Sequence, residues 1–64
     1  MNAASKLKIY IKDKGLKYGF VADRAGIDQK KFSKLINGQQ RLTVEDLENI
    51  CKKGLSVNPS IFLD

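Results

Sequence analysis

The chain has no histidine, one cysteine and one proline. Without histidine there is no imidazole general base and no Ser-His or Cys-His nucleophile. A lone cysteine builds no metal site. Cys51 can form no disulfide within the chain, which fits a reducing compartment, and its expected role is a buried apolar filler. No apolar run approaches the roughly 20 residues that cross a bilayer. The N-terminal stretch MNAASKLKIYIKDKG lacks the apolar segment of a signal peptide. No linker, repeat or low-complexity tract interrupts the chain. The acids Asp13, Asp23, Asp28, Glu45, Asp46 and Glu48 include no pair with a clear reason to share a cleft. An enzyme is therefore not expected, and neither is a cofactor, a metal or a membrane partner.

One further absence is local. No carboxylate occurs from Gln29 to Arg41, although the chain as a whole carries seven acids against twelve basic residues, a net charge of +5. Excess positive charge serves either solubility or an anionic partner. A basic window without acids favours the partner.

What is present is helical. The 64 residues are expected to make one domain, 1–64. A chain of that size buries only about 60% of the surface it exposes when unfolded, which leaves no room for a large pocket beside a core. A first helix is expected over Ala3 to Lys14, with Leu7, Tyr10, Ile11 and Lys14 on one face, Ile9 off it, and Gly15 as the stop. The alternation in KLKIYIK is the main competing strand signal. A second helix is expected over Tyr18 to Ala25, burying Phe20, Val21 and Ala25, before a turn at Gly26. Asp28 caps a third helix, Gln29 to Ile36, which buries Phe32, Leu35 and Ile36 and turns Lys30, Ser33 and Lys34 outward. Asn37-Gly38 ends it. Thr43-Val44-Glu45-Asp46 resembles a capping box with aspartate as its acidic arm. A fourth helix follows, burying Val44, Leu47, Ile50 and Cys51 and ending at Gly54. A short fifth turn or helix begins at Asn58-Pro59. The expected fold class is an all-α, compact bundle of four to five helices.

Two short helices joined by a glycine turn are the parts of a helix-turn-helix, here about residues 17–37. The second would be the helix that reads DNA. Its outward residues are suitable types. Glutamine pairs bidentately with adenine, lysine donates to the guanine O6/N7 edge, and serine pairs with several bases.

The stretch LKYGFVADRAGIDQKKFSKLINGQ resembles the helix-turn-helix core of the lambda repressor and Cro-like family. The matching residues are Leu16, Lys17, Val21-Ala22, Gly26, Phe32, Leu35 and Asn37-Gly38, and the likeness extends from about Leu7 to Leu63. It implies a small phage or bacterial transcriptional regulator, a repressor of Cro-like type, acting on double-stranded DNA in the cytoplasm or nucleoid. It implies base and phosphate contacts at Gln29, Lys30, Ser33 and Lys34. Asn37, Gln39, Gln40 and Arg41 fall in a loop that meets the DNA backbone. Tyr18 falls where a polar residue touches phosphate, unless its ring only packs on the surface. Lys17, Lys31 and Arg41 are either phosphate contacts or solvated charge.

The chain departs from the family at three places. Ile11 and Ile36 stand where many members carry an arginine and a glutamate. Gly19 stands where a good helix former is usual, so the second helix either frays there or admits a close backbone approach. KKGLSV holds one residue more than the usual run. One module reads few base pairs, so a homodimer is expected. Ile61, Phe62 and Leu63, with Ile9 as a weaker candidate, either form its contact or merely close the core. The alternative function is a protein-interaction module of the same fold, such as an antirepressor engaging another regulator.

Overall fold

Apolar residues at helical spacing make one-sided helices, and one-sided helices must pack on one another. In the computed structural model, which describes residues 2–63, they do so around a single core. Helix α1 spans Ala3–Asp13, α2 Tyr18–Ala25, α3 Gln29–Ile36 and α4 Val44–Asn49. The chain then continues from α4 as a π-helical turn, Ile50–Leu55, and ends in a 3₁₀ turn, Pro59–Phe62. No strand occurs among the described residues, so KLKIYIK is helical.

The helix ends follow local chemistry. Asn2, Asp28, Thr43 and Asn58 each accept a backbone N–H at the start of a helical piece. At the end of α2, Gly26 takes a left-handed φ of 73°. The Ile27 amide then donates to the Ala22 carbonyl at 3.0 Å, closing a Schellman motif. The same six-to-one closure ends α1 and α3, through the amides of Leu16 and Gln39. Lys14 lies just past α1 as its cap rather than inside it.

Two expectations about burial need correction, those for Phe20 and Val44. Phe20 is half exposed rather than buried. The buried residues of α2 are Val21, Ala22 and Ala25, and at 100° per residue Phe20 points roughly 150° away from their mean direction. The Arg24 guanidinium covers its ring instead, at 5.4 Å. Val44 is 69% exposed, because it is the first residue of α4 and its turn overhangs the core that Leu47 enters. Of the three apolar tail residues, the core takes only Phe62, which meets Tyr10 edge-on with centroids 5.5 Å apart. Ile61 and Leu63 stay outside. The fifth element is 3₁₀, begun by Pro59 as expected.

The fourth helix does not stop at Gly54. It widens into the π turn and runs to Leu55. A π turn bonds i to i+5 and so takes up an additional residue within a helix, which accounts for the longer KKGLSV run. Gly54 is required there by contact. A Cβ on it would lie 2.9 Å from Val21 Cγ1 and 3.1 Å from the Val21 carbonyl oxygen. The segment ends at Ser56, the one non-glycine residue with positive φ among those described (58°), and the Val57 amide closes onto the Cys51 carbonyl.

Ile11 and Ile36 are both buried in the one core, so apolar side chains stand there where the resembling family has charges. Replacing a buried ion pair by well-packed apolar groups is often neutral or stabilising, since no charge must be desolvated.

Three stability measurements follow from these contacts. Gly54→Ala should lower the unfolding free energy by about 1–3 kcal/mol in a urea titration, because Val21 backbone cannot retreat. Ser56→Gly should raise it by up to about 1 kcal/mol, by removing the left-handed strain on a residue with a Cβ. Cys51 is wholly buried, and burial pushes its thiol from 9.0 up to about 11. Between those values the folded chain keeps a proton that the unfolded chain releases, so stability falls as pH rises through that window. The loss should be on the order of 2 kcal/mol at its upper end, and Cys51→Ala should lack that component when melted across the same pH series.

Candidate nucleic-acid interface

Helix α3 is held from both directions. At its start, Asp28 Oδ2 accepts the amides of Lys30 (3.0 Å) and Lys31 (3.4 Å), so the capping carboxylate is drawn onto the helix end. On its inner side Phe32, Leu35 and Ile36 are buried, which fixes its rotation about its own axis. Gln29, Lys30, Ser33 and Lys34 consequently stand exposed on the outside. The side chains of Gln29, Lys30 and Lys34 make no hydrogen bond or ion pair among the described residues.

Three of the expected contact residues, Lys31, Ser33 and Asn37, have internal partners. Lys31 Nζ lies 3.7 Å from Asp46 Oδ1 at the start of α4. Asp46 thus serves α3 through its side chain, while its amide donates to Thr43 Oγ1 at 3.1 Å. Asn37 is a staple between α1 and α3. Its Oδ1 accepts from Lys8 Nζ at 2.8 Å, and its Nδ2 donates to the Ser33 carbonyl at 2.9 Å and to Ser33 Oγ at 3.3 Å. Because the Ser33 hydroxyl accepts that bond, its own proton is left to donate outward.

The loop after α3 is tied to it. The amides of Gln39 and Gln40 both donate to the Lys34 carbonyl, at 2.8 and 3.2 Å. The side chains of Gln39, Gln40 and Arg41 are exposed. The loop faces the start of α1, at Asn2 to Ala4, across a groove of about 430 Å³. Lys17 is exposed at the cap position of α2, where no side chain satisfies the first amides. Tyr18 is half buried, with its ring 6.0 Å from that of Phe32, so the ring belongs to the seam between α2 and α3.

Sequence reasoning gave Lys8 no role, and it paired neither Lys31 with Asp46 nor Gly19 with Gln29. A Cβ on Gly19 would stand 3.3 Å from Gln29 Nε2. These contacts join different helices, and periodicity within one helix carries no signal for them. On the opposite side of α1, Ile9 and Ile61 come together with Tyr10 and Phe62 around an apolar groove of about 360 Å³.

The internal partners predict distinct effects on stability. Asn37→Ala should cost about 1 kcal/mol in chemical denaturation, since it unties Lys8 and the end of α3 together. Asp46→Asn should cost less than about 1 kcal/mol, because its pair with Lys31 is solvent-screened on the lysine side.

A short helix, a glycine turn and a second helix that buries one face and bares a basic one are the parts of a helix-turn-helix. Residues 6–59 match the Cro/C1-type HTH DNA-binding domain family. No curated protein and no solved structure matches significantly. The family match runs from within α1 through the π turn to Pro59, most of the chain. The chain therefore belongs to the Cro/C1-type helix-turn-helix family of DNA-binding regulators.

Proposed function

We propose that this protein binds specific duplex DNA as a small repressor of Cro-like type, with α3 lying in the major groove. The observation that carries this reading is the outward row on α3. Gln29, Lys30 and Lys34 are exposed and internally unpaired, on a helix whose other face is locked into the core. Gln29 and Ser33 read base edges, with Ser33 donating its hydroxyl proton. Lys30 and Lys34 neutralise phosphates, and Lys30 reaches a guanine edge where register allows. Lys17, the Tyr18 hydroxyl, Gln39, Gln40 and Arg41 contact the backbone on either side. Lys31 and Asn37 contribute at the rim, after giving up part of their donor capacity to Asp46 and to Ser33.

Recognition by a pair of modules requires a two-fold partner. The groove between Ile9 and Ile61, together with the exposed Leu63, supports a homodimer that binds half-sites roughly 34 Å apart. The same groove is what a regulator protein would occupy in the alternative reading.

Binding measured against salt separates these readings. Each phosphate neutralised should add about −0.9 to the slope of log affinity on log salt. Lys30→Ala and Lys34→Ala should each weaken binding to every duplex and flatten that slope, whereas Gln29→Ala should relax preference at one base pair. A salt-independent titration, or wild-type affinity in the Lys30/Lys34 double variant, would remove α3 from the groove. Duplexes selected from a random pool should carry an inverted repeat, and a lone half-site would exclude the dimer.

A further inference from the structure

We infer that Gly19 governs the base preference delivered by Gln29, because the missing side chain at position 19 is the bed on which the Gln29 carboxamide rests. This builds on the reading of Gln29 as a base-contacting residue.

A Cβ on Gly19 would lie 3.3 Å from Gln29 Nε2, 3.4 Å from Cδ and 3.5 Å from Oε1, and these are its three nearest atoms. Three nearly equal distances mean that the carboxamide lies flat over Gly19, with neither its oxygen nor its nitrogen turned inward. The Oε1/Nε2 edge makes no hydrogen bond among the described residues. That edge is the one that pairs with adenine N6 and N7.

Backbone conformation does not account for glycine here. Position 19 lies in the first turn of α2, and its φ is not positive. Alanine has the higher helix propensity and would suit the helix better. What alanine would disturb is the glutamine. A contact at 3.3 Å is closer than van der Waals packing allows without movement, and the flexible carboxamide is the group that moves. Freezing a glutamine side chain costs rotamer entropy. A flat contact on one side restricts the side chain before DNA arrives, so less of that cost falls on binding. Gly19 is thus a positioning residue. It gives up helix stability and holds the reading edge of Gln29 in place.

Stability and specificity should therefore move in opposite directions. The test measures binding to duplexes that differ at the base pair whose preference Gln29→Ala relaxes. Wild type, Gly19→Ala, Gly19→Gln, Gln29→Ala and Gly19→Ala/Gln29→Ala are compared, each with a melting curve and a salt slope. Gly19→Ala should melt higher and keep the salt slope, while its preference for the best base falls roughly 3- to 10-fold. Gly19→Gln, which fills the bed, should lose more. The double variant should match Gln29→Ala, since no carboxamide remains to be displaced. Unchanged preference in both Gly19 variants, with Gln29→Ala relaxed, overturns this inference alone. A lower melting temperature in Gly19→Ala with weaker binding to all duplexes marks a purely structural glycine and overturns it as well. Full preference in Gln29→Ala overturns the base-reading role of Gln29 and this inference with it.

Discussion

Burial of Phe32, Leu35 and Ile36 beneath α2 is the constraint on which the rest depends. Each of the three is nearly inaccessible to water. Turning α3 about its axis would expose them and draw Lys30 and Lys34 toward the core, at a cost of several kcal/mol. The outward row of the helix is therefore a rigid consequence of the inward one. Gly26 sets the angle at which α3 leaves α2, and Asp28 fixes where the new helix starts. A basic surface carried on a rigid element loses little entropy when it meets an anion.

A core this small leaves little margin, and the chain spends it in specific places. The π turn presses Gly54 against Val21 and Ala25, so α2 is supported from behind by the segment that follows α4. At Gly54 that support comes from close backbone approach, while Ile50 and Cys51 of the same segment fill the core with side chains. Surface charges act differently. Lys31, Lys52 and Lys8 have partners in Asp46, Glu48 and Asn37, whereas Lys30 and Lys34 have none among the described residues. Positive charge is therefore uncompensated on the outer face of α3, where the field of a polyanion would fall.

Much of the fold was legible in the residues. The end of α2 and both ends of α3 follow from caps and glycines, because those signals act within a few residues of the helix ends. The inward row of α3 follows from periodicity. Phe20 and Val44 were misread as buried, since apolar character does not say whether a neighbour is there to cover it. The extra residue in KKGLSV was legible, but not its accommodation as a widened turn. That depends on the close approach of Gly54 to Val21, two residues far apart in the chain. The candidate contact residues were likewise legible as a group, while their division into free and internally bonded side chains was not.

The all-helical class, the turn at Gly26, the two-sided character of α3 and the absence of acid from Gln29 to Arg41 are readable from the order of residues. These are local properties, set by spacing, capping and charge along a few turns. Tertiary packing ties Lys8 to α3 through Asn37, turns Lys31 toward Asp46, sets Ile9 and Ile61 around one groove and lays Gln29 over Gly19. Each of these joins separate helical elements, and their relative placement comes from filling a shared core, which no stretch of the chain specifies alone.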